Sequence, residues 1–192
     1  MTAAQPLKLT YPEYLAAEET AQEKHDFLDG EVFAMSGGTL EHSALAASAA
    51  FLLKSALNGR GCLVLESNAR VRRREANFSC YPDVTVICGG VSRAPDDDQA
   101  IVNPTLIVEI LSSSTESYDR GEKSRQYRGI TSVREIVLVS QSARHVEVFR
   151  RNADGRFELF EWSKGEVELR SVSATIPIAS LYADAEALRA QR

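Results

Sequence analysis

The segment TLIVEIL, residues 105–111, constrains this chain more than any other stretch. Its apolar residues fall on both alternating faces, which is the pattern of a central strand covered on two sides. Glu109 interrupts that run. An uncompensated carboxylate in such a strand costs several kcal/mol in lost hydration, so a cation, a metal or a proton must answer it.

The flanking sequence supplies the covering elements. A helix is predicted over residues 12–19, capped by Thr10, then two strands over 25–28 and 31–35 that turn at Asp29-Gly30. The strongest helix runs over 40–57, with Thr39 as its cap and His42, Leu45, Ala49, Leu52, Leu53 and Ala56 on one face. Strands follow at 62–66, 69–74 and 83–88, then a polar loop over 89–103 and the strand over 105–111. A polar connection, a short charged helix over 119–128, four strands (135–139, 145–150, 156–162, 166–170) and a helical tail from 179 complete the chain. Helices interleaved with strands predict an α/β fold, a mixed sheet flanked by helices, in one domain spanning 1–192.

Composition narrows the function classes. Hydrophobic residues at 44% and charged residues at 26% exclude a disordered chain and a fibre. No apolar run approaches the ~20 residues of a membrane span, and the first ten residues lack a basic region followed by an apolar core. The expected setting is the cytoplasm, with no membrane partner. Cys62, Cys80 and Cys88 form no C-x-x-C pair, which argues for small core residues and against a disulfide framework or a zinc site. The net charge of −5 excludes a general nucleic-acid coat, so any such affinity must come from local clusters. Arg70, Arg72 and Arg74 alternate on one strand face, and Arg120, Arg125 and Arg128 flank Lys123. Both groups are candidate phosphate grips; the alternative is a solvated charged face.

Asp83 follows Pro82 at the start of another strand. If that strand neighbours the one bearing Glu109, two carboxylates meet at one sheet end. They repel unless a divalent cation lies between them, and hard oxygen donors suit Mg²⁺ or Mn²⁺. Lys123, Gln126, Tyr127 and Ile130 share a face of the charged helix. Lys123 is thereby a candidate for orienting water and stabilising negative charge; the alternative is an exposed helix with an Asp119–Lys123 pair. His42 stands on the first turn of its helix, where the dipole favours a neutral imidazole.

The blocks HDFLDGEVFAMSGGTLEH, YPDVTVI, PTLIVEILSSST and DRGEKSRQY, in that order, resemble the PD-(D/E)XK nucleases and, more narrowly, the Uma-two family of restriction-endonuclease-like proteins. The resemblance implies a restriction-endonuclease-like fold and Mg²⁺- or Mn²⁺-dependent hydrolysis of DNA phosphodiesters. It assigns the metal to Asp83 and Glu109, the catalytic lysine to Lys123, and further site roles to His42, Asp26 and Glu31. Three positions depart from the pattern: Leu111 stands where the superfamily lysine usually lies, Asp26 replaces a more usual glutamate, and Ser140 stands where the family often has aspartate. A nuclease-like protein that binds nucleic acid or a protein partner without cutting is the first rival. An α/β protein in which Lys123 simply neutralises Glu109 is the second. DNA is the expected partner, and cutting both strands would favour a homodimer.

Overall fold

The computed structural model describes residues 8–35 and 38–191. Residues 1–7 of the amino-terminal stretch and Ser36-Gly37 of the first motif block lie outside the described residues. Helix α1 (Tyr11–Glu18) opens with a capping box in which Thr10 and Glu13 satisfy each other's backbone amides. Strands β1 (His25–Leu28) and β2 (Glu31–Ala34) are joined by Asp29 and Gly30, both at positive φ, the mirror-image turn that Asp-Gly favours. Helix α2 (Leu40–Ala56) starts where Thr39 Oγ1 accepts the His42 amide at 3.1 Å.

Seven strands follow: β3 (Cys62–Glu66), β4 (Arg70–Arg73), β5 (Phe78–Cys80), β6 (Val84–Cys88), β7 (Arg93–Ala94), β8 (Asp97–Ile101) and β9 (Leu106–Leu111). A continuous helical run then combines α3 (Glu116–Tyr118), a π-helical turn (Asp119–Lys123) and α4 (Ser124–Arg128). The chain closes with β10 (Glu135–Ser140), β11 (Val146–Arg151), β12 (Phe157–Trp162), β13 (Glu166–Leu169), β14 (Ala174–Pro177) and α5 (Ile178–Arg189).

The fold is mixed α/β, but its strands divide between two six-stranded sheets rather than one. The first runs β2-β1-β5-β4-β8-β7, the second β12-β11-β10-β9-β6-β3, and β13-β14 form a separate ribbon. Each large sheet is mixed: β4 and β8 are parallel in the first, β9 and β10 in the second. The polar loop expected over 89–103 contains β7 and β8. Asp97, Asp98 and Gln99 hide that strand from an apolar pattern, and its pairing to β4 is reinforced by the Arg70–Asp97 ion pair.

Strand β9 lies inside the second sheet, between β6 and β10. Leu106, Val108 and Ile110 pack in a core with Leu45, Ala49 and Leu53 of α2 and Leu181 of α5. Ile107 and Leu111 belong to a second core with Val71, Phe78, Tyr127 and Ile130. Strand alternation therefore sends Glu109 towards the second core, between the sheets.

The cysteine expectation is corrected. Cys62 and Cys88 are register partners across β3 and β6 and are joined by a disulfide, whereas Cys80 is free and buried. Spacing in sequence carried no sign of this, because antiparallel register brings the two residues opposite each other. No helix among the described residues is long and apolar enough to cross a membrane.

Candidate active site

The chain leaves the first sheet at β5 and enters the second at β6 through Tyr81-Pro82-Asp83. Val84 pairs with Val108 at the last rung between β6 and β9, so one step further Asp83 faces Glu109. With the ladder ended, Asp83 Oδ2 accepts the Ile110 amide at 2.7 Å, which fixes the carboxylate at the strand end. Asp26 of β1 is anchored similarly, its Oδ1 accepting the Tyr81 amide at 3.2 Å.

Lys123 meets these acids from the helical run. Its Nζ lies 3.0 Å from Glu109 Oε1, 3.6 Å from Asp26 Oδ2 and 3.7 Å from Asp119 Oδ1. Tyr127 Oη donates to the same Glu109 Oε1. Asp119, Lys123 and Tyr127 recur every four residues, and all three are buried. Lys123 is only 4% exposed, so the alternative of a solvated helix face does not describe it. Among the described residues, the hydrogen bonds to these two acids fall on Asp83 Oδ2 and Glu109 Oε1, leaving Asp83 Oδ1 and Glu109 Oε2 without one.

Asp26, His42, Asp83, Glu109, Asp119 and Lys123 all line one cavity of about 160 Å³. Asp119 was seen in sequence only as a partner for Lys123; its four-residue spacing from that lysine was the available signal. Tyr118, Gln141 and the hydroxyl-rich residues 112–115 also reach the cavity and carry no such signal. Glu31 is not brought in. It sits exposed on β2 and does not line the cavity.

Burial drives the electrostatics. It pushes the Glu109 carboxyl up; Lys123 opposes this, Asp83 and Asp119 add to it, and the pKa is pushed up to about 8. Burial also raises Asp26 against the pull of Lys123. For Lys123 burial acts downward, but Asp26 and Glu109 outweigh it and hold the ammonium well above the ordinary lysine value. His42 Nε2 stands 3.3 Å from Asp83 Oδ2, and that contact raises the imidazole. The carboxylate at contact distance thus acts against the neutral ring expected at a helix start. Gly38 leaves room for the ring, since a Cβ there would lie 2.8 Å from His42 Nδ1.

The arginines of both clusters have partners within the chain, although Arg74 and Arg125 stay exposed. Arg70 is held by Asp97, and Arg72 and Arg74 both reach Asp96. Arg72 is itself buried, with its guanidinium 3.4 Å from the Tyr11 ring centre. Arg120 pairs with Glu116 and Glu147, Arg125 with Glu122, and Arg128 donates to the Ser124 carbonyl. Among the described residues, His145, Glu147 and Glu161 form the one group of three donors whose ligand atoms lie within 4.8 Å of one another; the cavity residues do not form such a group. None of these three lines the cavity.

Comparison with known proteins agrees with this architecture. The chain is 33% identical over 177 residues to the uncharacterized protein slr1290 of Synechocystis, covering 91% of this chain and 92% of that protein. It is 32% identical over 161 residues to the uncharacterized protein sll1609 of the same organism, covering 84% and 91%. Its fold matches the crystal structure of a "putative nuclease belonging to DUF820" from Anabaena variabilis, with a TM-score of 0.74, 16% identity, and coverage of 92% of this chain and 99% of that one. Residues 11–181 match the Uma2 family, described as "Putative restriction endonuclease", and the chain belongs to that family.

Proposed function

We propose that the cavity is the site of a divalent-cation-dependent endonuclease that hydrolyses phosphodiester bonds in DNA. The observation that carries this reading is the placement of Asp83 opposite Glu109 at a strand end, with Lys123 held against Glu109. Four carboxylates and one lysine line the cavity, and this excess of hard oxygen donors fits Mg²⁺ or Mn²⁺. Asp83 and Glu109 would hold the cation through the oxygens that accept no hydrogen bond. Bound there, it would supply positive charge to a phosphoryl oxygen and lower the pKa of water.

The chain's own groups do the rest. Lys123 donates hydrogen bonds to the reacting phosphate region and offsets the charge that builds there. Asp26 and Asp119 keep that ammonium charged and aimed. His42 holds a proton beside Asp83 and is placed to exchange it with the cavity. Glu31 takes no part. A single domain over 1–192, a cytoplasmic setting and a homodimer that cuts both strands belong to the same proposal.

The contact between Lys123 and Glu109 also favours a second reading, a nuclease-like protein in which this pair is structural and nucleic acid or a protein is bound without cleavage. Single-turnover cleavage of plasmid and oligonucleotide DNA in Mg²⁺ or Mn²⁺ separates them. The nuclease reading expects chelator-sensitive nicking that falls by about 10²–10³ in Lys123→Ala. Intact DNA after prolonged incubation of a folded wild type with either metal would leave the second reading.

A further inference from the structure

We propose that Phe33 and Tyr118 form a stacking platform for an unpaired base at the mouth of the carboxylate cavity, so that the DNA is single-stranded where it meets the site. This rests on the nuclease reading and specifies its substrate. Phe33 lies on β2, an edge strand whose four residues are all exposed, and the residue is 38% exposed. It stands 5.6 Å from the Tyr118 ring, tilted by 31°. Both rings line the cavity that holds Asp83, Glu109 and Lys123. An exposed aromatic backed by a second ring offers a flat apolar face, which a base can cover whatever its identity.

Two further observations point to an unpaired strand. First, duplex binding is carried mainly by cations on phosphates. Arg70, Arg72, Arg120 and Arg125 are each paired with a carboxylate of this chain, and Lys123 is the one permanent cation among the described residues lining the cavity. Stacking must then supply what charge does not. Second, the buried Tyr118 hydroxyl has no hydrogen-bond partner among the described residues. Being buried, that hydroxyl can be met only by an acceptor that enters the cavity, as a phosphate oxygen of the stacked nucleotide would. The cavity, about 160 Å³, is below the 300–1,000 Å³ typical of small-molecule pockets. It suits a phosphate group inside and a base outside, on the rings.

The test is equilibrium binding of a dT oligonucleotide carrying one 2-aminopurine, in Ca²⁺ to suppress turnover, against a blunt duplex of the same sequence. Wild type should bind the single strand more tightly and quench the 2-aminopurine. Phe33→Ala should lose about 5- to 150-fold in single-strand affinity together with the quench. Phe33→Trp should keep both, and duplex binding should be unchanged in either variant. Equal single-strand affinity and quench in Phe33→Ala and wild type would overturn the platform, as would a wild type that prefers the duplex. Mn²⁺ calorimetry on the same proteins keeps the two readings apart. Phe33→Ala should bind Mn²⁺ as wild type does, whereas a wild type that binds none overturns the nuclease reading and leaves the quench to decide the platform.

Discussion

Lys123 is the residue on which the site's charge balance turns. It is buried against Glu109, Asp26 and Asp119, so Lys123→Ala leaves three acids without their cation. Breaking such a buried set costs about 3–5 kcal/mol, or roughly 6–20 °C in melting temperature for a chain of this size. The acids then ionise at a cost, so the deficit should shrink as the pH falls towards about 4, where the unfolded chain also holds the protons. Thermal melts of wild type and variant between pH 4 and 8 check this; a pH-independent deficit would mean the acids are already neutral. Glu109 gives a second pH dependence. Its pKa of about 8 lies above the ordinary 4.5, so between those values the folded chain keeps a proton that the unfolded chain has released. The stability linked to Glu109 therefore falls as pH rises across that window. Cation binding runs the other way, because it needs the ionised carboxylate: affinity for Mn²⁺ should rise up to about tenfold per unit until about pH 8. Titrations at pH 6.5 and 7.5 that gave equal affinities would contradict the placement of Glu109 among the ligands.

At the scale of elements, β4 is a structural strand. Arg72 donates to the Phe78 carbonyl at 3.2 Å, to Asn77 and to Asp96, and covers the Tyr11 ring. Arg72→Ala should cost about 1.5–3 kcal/mol in denaturant unfolding, since Asp96 stays part exposed and keeps Arg74. It should leave the salt slope of DNA binding as it was; a slope shallower by about 0.9 would restore the phosphate-contact role. The disulfide between β3 and β6 closes a loop with a sequence separation of 26. Loop-closure entropy predicts that Cys62→Ser lowers stability by about 3–4 kcal/mol relative to the oxidised protein, and that reductant brings the wild type down to the same level. The long elements were legible in sequence because their patterns are strong: Thr39 caps α2, Asp29-Gly30 turns β1 into β2, and β9 is apolar on both faces. The π-helical turn was not, since nothing in DRGEK distinguishes it from an ordinary helix. Nor was β8, whose inward-facing Asp97 is satisfied by Arg70 and Tyr11 rather than by apolar packing.

At the scale of the molecule, the candidate site sits where the chain passes from one sheet to the other. Glu109 belongs to the second sheet, Asp26 to the first, Asp83 to the link between them, and Lys123 to the helical run that packs with both. Sequence order alone could pair Asp83 with Glu109 and add Lys123, because strand neighbours and an isolated charged helix leave traces in composition. It could not tell that Asp26 lines the cavity while Glu31, on the exposed β2, does not. It could not show the carboxylate partners of the arginines either, because Asp97 comes from β8, Asp96 from the turn before it, Glu147 from β11, and Glu116 and Glu122 from neighbouring helix turns. The proposed function stands or falls with divalent-cation binding at the Asp83–Glu109 strand end. Isothermal titration of the folded protein with Mn²⁺ measures it, comparing wild type with Asp83→Asn and with Glu161→Gln. Binding should appear in the wild type, be lost in Asp83→Asn and be kept in Glu161→Gln. Binding that survives Asp83→Asn and disappears in Glu161→Gln, or no binding at all, would contradict it.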